Sequence, residues 1–259
     1  MRMMKKVLGT VTVLALSVSL LAGCGSTAAS PVSSAASTAA ESTTSSVVSE
    51  TTSAAADENE AAAAQLLNDL TGSYQELWPV ILADEYKQTW LDDCTALVGE
   101  DNAEAAFEKL SSMVTGDVYG EDAVKAYANG GGAYFCGFTN SLATLTFDGE
   151  TSTISGTDKD GNVLFSHTYH YIGMEPVHGL YEFESDDADS GEFTYFFLAP
   201  DTSAETYHIE FRYGSDAEAL SQYDAGEYAY WVASGISTDC DQTMIDNCIE
   251  LFCTENLAG

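Results

Sequence analysis

Any chemistry on this chain has to come from a short set of side chains. Four histidines occur, His167, His170, His178 and His208, all in the second half of the sequence. His208 and Glu210 stand two apart in a run that alternates with Tyr207, Ile209, Phe211 and Tyr213. On a strand, the first two project from one face and the four apolar residues from the other. His167 and His170 are three apart, so a strand would turn them to opposite faces, and His178 falls in the connection before the next strand. Imidazole nitrogen together with carboxylate oxygen is a donor set that zinc accepts. The candidate metal ligands are therefore His208, Glu210, His167, His170 and His178, with zinc as the expected ion.

Other chemistries lack their residues. No serine-hydrolase elbow, phosphate-binding loop, dinucleotide fingerprint or HExxH helix occurs, so no catalytic residue is expected and the chain reads as a binding protein rather than an enzyme. The stretches Asp158-Lys-Asp160-Gly161-Asn162 and Asp186-Asp187-Ala-Asp189 lack the full ligand spacing of an EF-hand and read as turns. Of six cysteines, Cys94, Cys136, Cys240, Cys248 and Cys253 lie in the body of the chain. Cys248 and Cys253, five apart on a helix, are too distant to bridge each other. Buried thiols are expected, with a disulfide involving Cys240 as the open alternative.

The N-terminus says where the protein goes. A basic head (Arg2, Lys5, Lys6) leads into an apolar run from Val7 to Leu21 and then Leu21-Ala22-Gly23-Cys24. The run is shorter than the ~20 residues of a spanning helix, and the pattern is a secretory leader. The small residues ending on a cysteine resemble the bacterial lipobox, which implies cleavage after residue 23 and diacylation of Cys24. Two acyl chains anchor firmly where one does not. Residues 24–56 are almost wholly Ser, Thr and Ala without an aromatic, so they cannot bury enough apolar surface to offset ordering. They read as a solvated linker that holds residues 57–259 roughly 30 Å from the bilayer. The expected location is extracytoplasmic, lipid-anchored at the cell membrane. A formal net charge of −33 repels phosphate backbones, so nucleic acid is excluded as a partner.

The folded part changes period midway. Asp57-x-x-Glu60 reads as a capping box for a helix to about Leu70. Tyr86, Trp90, Cys94, Leu97 and Val98 recur at helical spacing up to Gly99, and Asp101-x-x-Glu104 opens a helix carrying Phe107, Leu110 and Val114. A shorter helix spans 121–127. Strand patterns follow at 133–138, 142–147, 151–157, 163–171, 180–184, 193–198 and 206–213, with Asp148-Gly149 and Asp160-Gly161 as hairpin dipeptides. Ser215-x-x-Glu218 caps a short helix. A last helix, 241–256, carries Met244, Ile245, Cys248, Ile249 and Phe252 as one stripe. The predicted fold is α+β: N-terminal helices, then an antiparallel barrel or curled sheet, then a C-terminal helix.

At Gly72-Ser-Tyr74-Gln75-Glu-Leu-Trp78-Pro79-Val-Ile81 the chain resembles the opening of the ZinT family of extracytoplasmic metal-binding proteins, a domain that also ends AdcA-type zinc-transport lipoproteins. Leu180-Tyr-Glu-Phe183-Glu, Phe196-Phe-Leu-Ala199-Pro200 and Tyr207-His208-Ile209-Glu-Phe211-Arg-Tyr-Gly214 follow in the family's order. The resemblance covers about residues 66–236 and implies a calycin-like barrel. It also implies three zinc histidines, which would fall at positions 196, 206 and 208. Phe196 and Thr206 occupy the first two, so only His208 remains. The family's histidine-rich N-terminal loop is missing as well.

These residues lead to a surface lipoprotein that binds a divalent metal ion, buffers it or hands it to a metal ABC importer. The alternative is a calycin-type barrel taking a small organic or apolar ligand in a cavity lined by Tyr169, Tyr171, Phe193, Tyr195, Phe196 and Phe197. A cell-surface protein-interaction module is a third class, to which no single residue points. The anchoring expectation has a direct test. Cys24→Ala should move the protein from the membrane fraction to the soluble one, and a variant that still sediments with membrane, alongside wild type that takes up no labelled acyl chain, would refute it.

Overall fold

The computed structural model describes residues 58–199 and 208–257. Cys24, the capping residue Asp57, Thr206 and Tyr207 lie outside them. None of the described helices is long and apolar enough to cross a membrane.

Eight antiparallel strands close into a barrel in sequence order, each paired with the next and the last with the first. They are β1 (Gly72–Glu76), β2 (Thr144–Asp148), β3 (Thr153–Thr157), β4 (Val163–Met174), β5 (Tyr181–Ser185), β6 (Tyr195–Leu198), β7 (His208–Gly214) and β8 (Ala233–Ser237). The helices are α1 (residues 58–69), then α2 (Leu77–Ile81), α3 (Lys87–Val98), α4 (Glu100–Val114), α5 (Glu121–Ala128), α6 (Ala217–Leu220) and α7 (Gln242–Leu257). The predicted class and order hold, with one rearrangement. A strand precedes most of the helices, and α2 to α5 are an insertion between β1 and β2. The expected strand at 133–138 is an extended segment with isolated bridges from Phe135 to Thr115 and to Trp231. The two strands absent from the sequence reading, β1 and β8, are those that close the barrel, through Tyr74↔Ser237 and Glu76↔Gly235.

Period-two alternation sorts the side chains. Leu145, Phe147, Ile154, Phe165, Tyr169, Phe183, Phe196, Ile209, Phe211 and Tyr213 are buried together inside the barrel. Their rings pack on one another: Phe165 on Phe193 at 3.9 Å, Phe196 on Tyr213 at 5.4 Å, and Tyr213 edge-on to Trp231 at 5.0 Å. Gly156 makes room for this, since a Cβ there would come within 2.4 Å of the Phe165 ring. The Tyr213 hydroxyl accepts from the Thr139 backbone N–H at 2.6 Å and donates to the Thr139 carbonyl at 2.9 Å. This pins the 138–142 segment across one mouth. Across the other mouth lies α1, whose Ala63, Leu66, Leu67 and Leu70 join the same core. Thr71 Oγ1 takes the Gly149 N–H there at 3.1 Å.

A second core lies outside the barrel wall. Leu77, Trp78 and Ile81 of α2, Trp90 and Cys94 of α3, Leu110 of α4, and Ile245, Cys248, Ile249 and Cys253 of α7 pack with Ile236 of β8. The Trp90 indole donates to the Ile81 carbonyl at 2.7 Å, and Phe252 meets Trp78 edge-on at 4.7 Å. The expected stripe on α7 thus holds, with Cys253 added and Met244 only half-buried. Two caps differ from expectation. At α4 the N-cap is Gly99, at φ 83°, without a side-chain cap, so Asp101 sits in the first turn. At α6 the cap is Asp216, whose Oδ1 accepts from the Ala219 N–H at 3.0 Å, one residue beyond Ser215.

Burial contributes about 1.5–3 kcal/mol for each large apolar side chain, and whole domains are stable by only about 5–15 kcal/mol. Ending the chain after Cys240 removes Ile245, Ile249 and Phe252 together and should leave it unfolded at 25 °C. Circular dichroism melts test this, and a truncated domain that melts like the intact one would contradict the packing.

Candidate functional site

On β7, Ile209, Phe211 and Tyr213 face the lumen, so His208, Glu210 and Arg212 share the outer face. His208 lies opposite Ile236 and Glu210 opposite Ser234 of β8. The expected pairing of His208 with Glu210 on one face holds. Glu210 sits close enough to Cys136 that its charge, after burial itself, raises the pKa of that thiol.

The other histidines occupy two places. The β4–β5 connection and the start of β7 lie at one end of the barrel, because Tyr181 pairs with both Met174 and Leu198. His178 is at that end. Its ring lies 3.8 Å from the Tyr223 ring, and Nδ1 is 3.5 Å from Glu175 Oε2. Glu175 is a buried carboxylate, held by the backbone N–H groups of Val177 at 3.0 Å and His178 at 2.5 Å. His167 and His170 lie toward the opposite end, where the chain leaves β5. His167 Nδ1 meets Asp187 Oδ2 at 2.8 Å and His170 Nδ1 meets Asp186 Oδ1 at 2.7 Å. The acidic run 186–189 is therefore more than a turn: two of its carboxylates partner histidines. The run at 158–162 is a turn as expected, with Asp158 Oδ1 accepting from the Asp160 and Asn162 N–H groups. The Asn162 side-chain amide, donating to Asp158 Oδ2 at 2.9 Å, and then those backbone bonds hold the Asp158 carboxyl below its ordinary pKa.

The sequence reading missed Arg212, the hub beside His208 and Glu210. Its side chain is wholly buried on the outer face of β7. The guanidinium donates to the carbonyls of Leu220, Gln222 and Tyr228 and stacks over Tyr223 at 4.2 Å. Burial lowers its pKa, and Tyr223 and Glu175 partly offset this. The signal was available, as Ile-Glu-Phe-Arg-Tyr sets a lone cation within an apolar strand. Burial in turn raises the Tyr223 hydroxyl, with Glu175 and Glu210 adding to the rise and Arg212 opposing it.

No protein-family model matches the chain, and no curated protein matches it. Among solved structures, it is similar to the Zn(II)-bound ZinT-like domain of Streptococcus pneumoniae AdcA. The identity is 16% over 71% of this chain and 89% of that domain, with a TM-score of 0.45. It is also similar to Zn(II)-bound AdcA from Streptococcus pneumoniae, at 15% identity over 71% of this chain and 35% of that longer one, TM-score 0.43. A likeness at this level concerns the fold and assigns no ligand here.

The residues do not fit a three-histidine zinc site. Phe196 pairs with Tyr213 and faces the lumen, whereas His208 has the opposite parity and faces out. The two positions implied by the family resemblance lie on opposite sides of the barrel wall. Among the described residues, no three His, Cys, Asp or Glu side chains are grouped to hold a metal ion. The lumen is filled by its own rings, so the aromatic residues expected to line a ligand cavity form a core instead; Tyr195 and Phe197, of opposite parity to Phe196, turn away from the lumen but pack in the same cluster.

Arg212→Met keeps the apolar stem and leaves the two buried carbonyls of Leu220 and Tyr228, and the partly buried one of Gln222, without their donor. It should cost roughly 2–4 kcal/mol. A lowered urea midpoint, with protease cleavage appearing between residues 215 and 230, is the expected result. A variant with unchanged midpoint would show that the guanidinium does not hold this segment.

Proposed function

We propose that this chain is a non-catalytic, lipid-anchored, extracytoplasmic protein that carries a divalent cation, zinc by donor chemistry, on the outer face of its barrel. The single observation supporting it is the placement of His208 and Glu210 side by side on the outer face of β7. That strand begins at the end of the barrel that also holds His178 and Glu175. One imidazole and one carboxylate are donors zinc accepts. Two donors hold an ion loosely, which suits buffering and transfer to a metal ABC importer better than permanent retention. The leader and lipobox at Cys24 support the location, and the cation is cargo rather than a reagent, in keeping with the absence of any catalytic motif from the sequence.

The second reading, an organic ligand in the lumen, has the packed rings of Phe165, Phe193, Phe196 and Tyr213 against it.

Zinc titration by calorimetry tests the first reading. Only a neutral imidazole ligates, so affinity should be present at pH 7.5 and fall as pH drops through the ordinary imidazole range, about 6.5. His208→Ala should weaken binding tenfold or more, on the order of 1.4 kcal/mol. His170→Ala, altered at the far end of the barrel, should leave it unchanged. Binding that is non-stoichiometric, weakened by salt and indifferent to His208 would instead be the general acidity of the surface and would overturn the proposal.

A further inference from the structure

The outer core brings two thiols together that the sequence keeps far apart. Cys94 of α3 and Cys253 of α7 are 159 residues apart, yet their Sγ atoms lie 3.8 Å from each other. Both side chains are fully buried, at 0% exposure. They sit at the contact between α3 and α7, and Phe252, beside Cys253, packs on Trp90 of α3 at 6.0 Å. Of the other three body cysteines, Cys136 lies in the same outer core beside Glu210, Cys240 precedes α7 by two residues, and Cys248 sits within the first half of that helix.

We propose that Cys94 and Cys253 form a disulfide that locks the C-terminal helix onto α3. A shift of under 2 Å between two packed side chains brings sulfurs from this separation to bonding distance, about 2.05 Å. The exterior of the cell is where such bonds persist. The oxidant is a disulfide, either on a thiol oxidoreductase or on a small molecule. One cysteine thiolate attacks it, forming a mixed disulfide and releasing one thiolate. The second cysteine thiolate then displaces the remaining thiol, so the S–S bond forms, two protons leave and two electrons reduce the oxidant. Burial raises both thiol pKa values in the folded protein, and neither sulfur is accessible there. The exchange therefore takes place before α7 docks, and the finished bond is sheltered from reductant.

The proposal rests on the exported location proposed above, and two arms of one experiment keep the two apart. In the first, protein produced from its full gene, leader included, is taken directly from the cells that make it, denatured under iodoacetamide, digested without reduction and mapped by mass spectrometry. The expected product is a Cys94–Cys253 linked peptide, with Cys136, Cys240 and Cys248 alkylated. In the second, the mature chain is unfolded and refolded in a reduced–oxidised glutathione couple, which tests the pairing whatever the cellular address. Linkage in the second arm alone would sustain the pairing and overturn the location. Full alkylation of all five in both arms, or a bond from Cys240 instead, would overturn the pairing. Protein unfolded and refolded in dithiothreitol, which keeps the pair reduced, should melt roughly 5–10 °C below the linked form, and the same treatment should leave the Cys94→Ala/Cys253→Ala variant unmoved.

Discussion

The pairing of β1 with β8 is the constraint on which the rest of the molecule depends. It turns a curled sheet into a closed wall, and a closed wall gives every strand residue one of two addresses, inside or outside. Inside, ten or so large rings and aliphatic chains replace water. Outside, the wall meets two different surroundings: the helical layer along β8, and the polar ledge along β7. His208, Glu210 and Arg212 owe their common side to this parity, as Phe196 owes its place in the lumen to it.

Electrostatics has little part in holding the fold. Of the five basic residues beyond the leader, Arg212 is buried, and it binds carbonyls rather than a carboxylate. Lys87 and Lys125 form exposed pairs with Glu104 and Asp122, and pairs of that kind contribute little. A chain this acidic gains cohesion from its two apolar cores and from backbone atoms that Glu175 and Arg212 satisfy. Those two buried charges act at the same end of the barrel, one collecting N–H groups and the other C=O groups.

Much of the fold was legible in the sequence because the signals were local. The helical spacing of Trp90 and Cys94, the hairpin dipeptides at 148–149 and 160–161, and the stripe on α7 each depend on neighbours in sequence. β1 and β8 escaped notice because Gly-Ser-Tyr-Gln-Glu and Ala-Ser-Gly-Ile-Ser carry no clean alternation. The outer face of β8 is covered by helices through Ile236, and β8 uses small residues, with Gly235 close to Ile209. The site was legible only as far as strand parity reaches. Parity set His208 beside Glu210 and His167 opposite to His170. It could not reveal that Asp186 and Asp187 would come back to meet those two histidines, nor that α3 and α7 would set Cys94 against Cys253, because those encounters depend on closure across the whole domain.

The position of α1 has a mechanical consequence. This helix both stoppers one mouth of the barrel and receives the chain from its N-terminal side, and β1, the closing strand, follows it after two residues. Tension applied at the N-terminus is therefore carried first by the stopper and next by the barrel's seam, before any other strand is loaded. Unseating α1 would open the lumen at the end where β7 begins. In a molecule held by its leading segment in flow or against a wall, that mouth is the first part of the fold to feel the strain.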